Sequence, residues 1–276
     1  MKKSFWIIAA MAGVLFTACE NGDRDFPDFK YSAVYFAYQS PIRTITLGED
    51  PSVDNSLDNE HKCQIMATIA GVYENKKNVE IGIRVDNSLC DGYTFESTKG
   101  DIMPLPTSHY TLSDDKIVIK KGQVLGGVTV NLTDAFFNDP KATELNYVIP
   151  VVMTGVQNAD SILEGKPSVD TPDRVNKEDW EVQSKDYILY AVKYISKYDS
   201  HYLRRGVDTY TGNKTGTEVR HAANVEKDET IGGFSTLGLN KVQWERPTKD
   251  AAGKNVEANL ILTFDESGNC VITSNT

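Results

Sequence analysis

The chain has 276 residues, with 29 Lys and Arg against 39 Asp and Glu, and a formal net charge of −10. That length suits one large or two ordinary domains, either able to bury a core. An acidic balance without any basic block argues against nucleic acid and against recruitment by anionic lipid, and four cysteines without a CxxC or Cys/His cluster argue against structural zinc.

The first element is a targeting segment. Met1-Lys2-Lys3 is basic, Phe5 to Phe16 is apolar throughout, and Thr17-Ala18-Cys19 closes with small residues. That order reads as a secretory signal over residues 1–18. As a helix the apolar run covers roughly 18 Å, short of the ~30 Å hydrocarbon core, so it is expected to be cleaved rather than kept as a span. Glu20-Asn21-Gly22-Asp23-Arg24-Asp25 makes residues 19–30 an acidic tether. Loss of Lys2 and Lys3 with the signal makes the mature charge two units more negative than −10.

From residue 31 to 156 the pattern is that of strands. Tyr31 to Tyr38 is aromatic and β-branched. Gln64 to Val72 and Val79 to Val85 flank the polar turn Glu74–Asn78, with Val79, Ile81, Ile83 and Val85 on one face at period two. Ile117 to Ile119, then Val128, Val130 and Leu132, alternate again. Tyr147 to Val152 is a further strand whose Pro150 suggests an edge or a bulge. Short strands at regular spacing predict an antiparallel, Ig-like sandwich. Residues 157–184 are polar and turn-rich, and read as a linker or long excursion. A second β-rich domain is expected over 185–276. It opens with Tyr187 to Ile195, a doubly buried strand or a short helix, with strand the better reading. Strand-like runs at 218–225, 241–246 and 259–264 follow, and Asp265–Asn269 reads as a hairpin loop before Cys270. With Cys19 set aside, Cys63, Cys90 and Cys270 remain, and a Cys63–Cys90 disulfide is left open.

Two resemblances add to this. Leu15-Phe16-Thr17-Ala18-Cys19 resembles a bacterial lipobox, in which the cysteine is acylated and becomes the first residue of the mature protein. Phe16 is bulkier than the leucine usual there. The acidic stretch after it resembles the export signal of Bacteroidota lipoproteins that face outward on the outer membrane, and two or more acyl chains anchor stably. Separately, Pro104-Leu-Pro-Thr-Ser-His-Tyr110, Ile119-Lys-Lys-Gly122, Val128-Thr-Val130-Asn-Leu-Thr-Asp-Ala-Phe136-Phe137-Asn-Asp139-Pro140 and Asn146-Tyr-Val-Ile-Pro150 resemble one family. It is the uncharacterised N-terminal sandwich domain of Bacteroidota surface lipoproteins, found beside starch-utilisation-type glycan uptake systems. The same domain precedes the catalytic barrel of some family-18 endo-N-acetylglucosaminidases. Asp186 to Ile195 with Tyr202-Leu-Arg204-Arg205-Gly206 resembles the domain that often follows it. The resemblance implies an Ig-like module and then a small β-rich sandwich or barrel-like module, whose closure is in doubt because comparable members run past the 259–274 hairpin. It carries over one functional residue, the lipid-bearing Cys19.

Catalytic patterns are absent from the text. No GxSxG, HExxH, P-loop or GxGxxG string occurs, and nothing resembles the DxxDxDxE run of family-18 barrels or the βα alternation that builds them. No cofactor is implied. Sugar binding needs less: a flat aromatic against the apolar face of a pyranose, rimmed by amides and carboxylates. Trp180, Tyr198, Tyr202 and Trp244 are the candidates, each with a plainer role. Trp180 would pin the linker to a sandwich, Trp244 would share a core face with Val242, and Tyr198 and Tyr202 would line a loop rim. The expected function is a non-catalytic, lipid-anchored glycan-binding accessory of a polysaccharide uptake system, with an oligo- or polysaccharide and an outer-membrane transporter complex as partners. The alternatives are a structural or protein-interaction module and a hydrolase with an undetected carboxylate pair.

Overall fold

The computed structural model describes residues 29–212, 215–224, 227, 229–249 and 254–274; the signal, Cys19 and the tether up to residue 28 lie outside the described residues. Strands β1 (Ala33–Tyr35) and β2 (Ile42–Thr46) are followed by a short helix α1 (Ser56–Asn59), then β3 (Lys62–Ala70) and β4 (Val79–Val85). Short β5 (Met103–Pro104) and β6 (Tyr110–Leu112) precede β7 (Lys116–Ile119) and β8 (Leu125–Leu132). Helix α2 (Asp134–Phe137) and the long β9 (Tyr147–Gln157) come next, then β10 (Ser161–Ile162), β11 (Lys166–Pro167), β12 (Trp180–Val182) and β13 (Tyr187–Ile195).

Period-two alternation makes two sheets with matching apolar faces. One has the order β10-β1-β3-β8-β6; the other runs β2-β13-β9-β4-β7, with β5 added to β9. Cys63, Ile65, Ala67 and Ile69 of β3 and Val128, Val130 and Leu132 of β8 face Val79, Ile81 and Ile83 of β4 and Ile117 and Ile119 of β7. Helix α2 drives Phe136 and Phe137 into this core, where both lie against Tyr194 with ring centroids 5.8 and 5.1 Å away. The Tyr194 hydroxyl donates to the Phe137 carbonyl at 2.7 Å. In α1 the buried Asp58 accepts the Thr46 N–H at 2.8 Å and pairs with Arg43, which fastens the helix to β2.

Three sequence expectations change. The expected boundary at residue 185 falls inside the first domain, because β13 is a central strand of the second sheet. It is antiparallel to β9 and parallel to β2. Both of its faces are buried: Ile188, Tyr190, Val192 and Tyr194 point into the sandwich, and Tyr187, Leu189 and Ala191 point the other way. The expected linker 157–184 is a docked excursion. Its β10 extends the first sheet beside β1, and Asp160 accepts from the Ser32 N–H and hydroxyl, each at 2.7 Å. Pro150 lies mid-sheet rather than at an edge. In an antiparallel strand the N and C=O of one residue point the same way, and at Pro150 they point past the end of β4, where the Asp86 N–H reaches the carbonyl at 2.9 Å. The cysteine question also closes. Cys63 sits between the sheets and Cys90 on the opposite face of the second sheet, so that sheet separates them, and both are free.

The remainder is a second, smaller β-rich unit. It contains β14 (Tyr202–Arg204), β15 (Gly206–Tyr210), β16 (Gly216–Arg220), β17 (Glu229–Ile231), β18 (Phe234–Gly238), β19 (Lys241–Lys249), β20 (Asn255–Phe264) and β21 (Cys270–Ser274). Strand β14 pairs with β17, β15 with β16, and β18 to β21 form a four-stranded meander. As the text expects, Asp265 closes the last hairpin by accepting the Ser267 and Asn269 N–H groups at 2.9 Å. The two units meet directly after β13. Buried Ser196 donates its N–H to Thr236 Oγ1 at 2.9 Å and its hydroxyl to the Leu239 carbonyl at 2.6 Å. Thr236 donates in turn to Asp199 at 2.9 Å, and Leu239 packs on the sandwich core.

Candidate functional site

The outward face of the second sheet carries a third layer, and a cleft lies in it. Val148 and Val152 of β9 with Leu189 and Ala191 of β13 make an apolar floor. The segment after β4 crosses this floor. It starts in a single 3-10 turn, Asn87–Cys90, whose N-terminus is capped by Asp86 accepting the Ser88 N–H at 3.3 Å and the Ser88 hydroxyl at 2.6 Å. It then folds into a tight hairpin: Phe95 N–H to Gly100 O, Lys99 N–H to Phe95 O and Ile102 N–H to Tyr93 O are each 2.9 Å. Lys99 takes a positive φ of 59° to close it.

This hairpin presents Tyr93 and Phe95, both half-buried, over the floor, with Thr94, Glu96 and Ser97 exposed at the rim. Between them and the strand-2 edge, at Ser40 and Ile42, lies a cleft of about 590 Å³, within the range of small-molecule sites. Tyr93 is fixed from outside, because its hydroxyl donates to Asp173 of the excursion at 2.8 Å. Burial, then the Asp173 carboxylate, push that phenol up to about 12, so it stays a neutral donor. Glu96 is the sole carboxylate in the lining, and no Lys or Arg lines the cleft. The arrangement offers a rigid aromatic wall, hydroxyls at the rim and little charge. It suits an uncharged ligand with one apolar face.

The aromatics singled out in the sequence lie elsewhere. Trp180 belongs to the excursion, where its indole N–H donates to the carbonyl of Asp173 in the same segment at 2.7 Å. Tyr198, Tyr202 and Trp244 do come together, in the second unit. Trp244 and Phe234 are directly opposed in β19 and β18 and stack at 5.6 Å, and Tyr202 meets the edge of Phe234 at 5.0 Å. Tyr198 lies flat on Phe264 at 3.9 Å and accepts the Tyr202 hydroxyl on its carbonyl at 2.8 Å. Burial, with Tyr198 and Asp199 nearby, raises the Tyr202 phenol. All three are half-buried and engaged with one another. With Phe234 and Val242 buried beside them, they form the small core of this unit as much as a surface. Among the described residues no three His, Cys, Asp or Glu side chains converge to hold a metal.

Sequence reasoning missed Tyr93 and Phe95 because they stand in a turn-rich stretch that reads as connection. Their spacing of two was the available signal: it puts both rings on one side of a hairpin arm.

A family model for an N-terminal domain matches residues 29–160, and a model for a domain of unknown function, DUF5627, matches residues 197–276. A Bacteroides ovatus protein of unknown function, solved as a crystal structure, is 45% identical over 90% of this chain and 79% of its own, with a TM-score of 0.83. The chain belongs to the same family as that protein. A second Bacteroides ovatus structure of unknown function is 14% identical, covering 89% of this chain and 72% of its own at a TM-score of 0.42. An auxiliary nutrient binding protein from Bacteroides thetaiotaomicron is 12% identical, covering 87% and 70% at 0.41. Likeness at those two scores carries no argument. No curated protein matches the chain. The two family models leave residues 161–196 between them, the stretch that supplies β10 and β13 to the first sandwich.

Proposed function

We propose that the protein is a non-catalytic saccharide-binding accessory, tethered through an acylated Cys19 to the outer face of an outer membrane. It serves a polysaccharide uptake system and works beside an outer-membrane transporter. The observation that carries the reading is the third-layer cleft: two half-buried aromatics and rim hydroxyls from Ser40, Thr94 and Ser97, set over an apolar floor supplied by the second sheet. A pyranose has the same two-sided character, apolar across its C–H face and polar at its edge. Hydrolysis of a glycoside ordinarily uses two carboxylates flanking the bond, whereas among the described residues Glu96 is the one carboxylate lining this cleft.

Affinity gel electrophoresis and a glycan array on the purified protein test it. Retardation by one glycan class, lost when Ser97→Trp fills the cleft from its exposed rim, is the expected result. Loss in Tyr202→Ala with Ser97→Trp unaffected would move the site to the aromatic row of the second unit. Inertness toward every glycan by folded protein would sink the reading. New reducing ends from incubated polysaccharide would refute its non-catalytic part.

A further inference from the structure

The segment between β1 and β2 crosses the open side of the sandwich as a strap, and it separates two concavities. Ser40 and Ile42 border the cleft already described; Ala37, Tyr38 and Pro41 border a second groove of about 250 Å³ on the other flank. The groove's far wall comes from Gln64, Met66 and Thr68, which alternate outward on β3, and from Leu125 of β8. The strap is not loose. The Leu189 N–H donates to the Gln39 carbonyl at 2.6 Å, the Ala191 N–H to the Pro41 carbonyl at 3.0 Å, and the Gln39 side chain to the Phe36 carbonyl at 2.6 Å. Both amides come from β13, which is buried on both faces, so the strap is fastened to a central strand of the second sheet. At its crest Tyr38 is 77% exposed. Its ring is a flat surface held out on a fastened segment at the border of the groove.

Charge limits what could cover it. No ionisable side chain other than the Tyr38 and Tyr190 phenols lines the groove, and the cleft contributes Glu96 and the Tyr93 phenol. Gln64 supplies an amide to the same groove, while the Thr68 hydroxyl already donates to the Val124 carbonyl at 3.0 Å. An anionic chain would find no cation among the described lining residues, and a wholly apolar one would strand the Gln64 amide.

We infer that cleft and groove, which open on opposite faces of the second sheet, are joined over the strap into one track for a neutral oligosaccharide, with Tyr38 the platform on which a central sugar stacks. This rests on the saccharide-binding reading and adds to it chain length, charge class and a residue. A ligand confined to the cleft gains nothing from extra sugars, whereas a track makes affinity rise until the groove is occupied.

The experiment is calorimetric titration of purified protein with neutral gluco-, manno- and xylo-oligosaccharides from disaccharide to hexasaccharide, with uronate-containing and sulfated chains beside them. The track predicts tighter binding of the hexasaccharide than the disaccharide within the bound class. Tyr38→Ala should weaken the hexasaccharide about fivefold while leaving the disaccharide near its original affinity. Tyr38→Trp should keep the gain, and unchanged melting in both variants would show that the fold is intact. Equal affinity at all lengths, or a Tyr38→Ala variant indistinguishable from the parent, overturns the track while leaving cleft binding in place. Preference for acidic chains overturns the charge assignment. Silence toward every saccharide removes the underlying reading and the track together.

Discussion

Cutting the chain where its composition changes, rather than where its sheet ends, should destroy the first domain. A fragment from Phe29 to Ser184 retains the whole expected sandwich and linker but lacks β13. The lost strand buries Ile188, Leu189 and Val192, at about 2 kcal/mol each, and three tyrosine side chains at roughly 4 kcal/mol each by area. A discount of about a third for burial that persists in unfolded chains leaves on the order of 12 kcal/mol. The ladders to β9 and β2 go as well. Since a domain's net stability is about 5–15 kcal/mol, the fragment has nothing left to fold with. A fragment ending at Lys197 keeps β13 and loses only the Thr236 and Leu239 contacts at the junction. Urea titration followed by tyrosine fluorescence and circular dichroism distinguishes the two: the longer fragment should unfold in one cooperative step and the shorter should show no transition. A cooperative transition of equal midpoint in the shorter fragment would refute the assignment of β13 to this sheet.

Other perturbations have defined signs. Tyr194→Phe removes the bond to the buried Phe137 carbonyl and should cost about 1–3 kcal/mol in urea unfolding; no change would mean that a water or another donor replaces the hydroxyl. Burial raises Asp139, but hydrogen bonds from Tyr147, the Lys141 N–H and His109 outweigh it and hold the carboxyl below its usual value. Its ionised form therefore contributes stability above the unfolded carboxylate range, and that contribution disappears as pH falls through the folded value. Asp139→Asn should be destabilised at neutral pH, with the gap to the parent narrowing as pH falls below the unfolded carboxylate value toward the lower folded one; a gap independent of pH would contradict the linkage. Burial pushes the Cys63 and Cys90 thiols each up to about 11, whereas Cys270 is exposed. Maleimide should label Cys270 in native protein, and Cys63 and Cys90 only after unfolding.

What the sequence shows of this fold is what is local. Alternation at Val79, Ile81 and Ile83 names the inward face of β4 without help from any partner, and Asp265 to Asn269 encodes its own hairpin through side chain to backbone bonds. Tyr187 to Ile195 reads as buried on both faces, which is correct, yet nothing within the strand states which sheet it enters. Its parallel partner β2 is joined to it only by tertiary packing. The same limit applies to the site. Trp180 in a polar stretch attracts attention as a binding residue, and nothing local in the sequence states that its indole N–H is held by a backbone carbonyl seven residues earlier. Tyr38 closes an aromatic run that reads as one strand, whereas β1 stops at Tyr35 and leaves Tyr38 on a strap. Exposure is decided by where strands stop, and composition does not mark that.

The parallel ladder between β2 and β13 also governs timing. Ile42 cannot find Ala191 until nearly the whole first domain has been made, and contacts so distant along the chain slow folding by the loop that must close first. A protein threaded through a membrane as an open chain benefits from such delay. On the export route proposed here, the strand that locks the sandwich is the last of its own domain to cross, so that domain stays passable until it arrives outside.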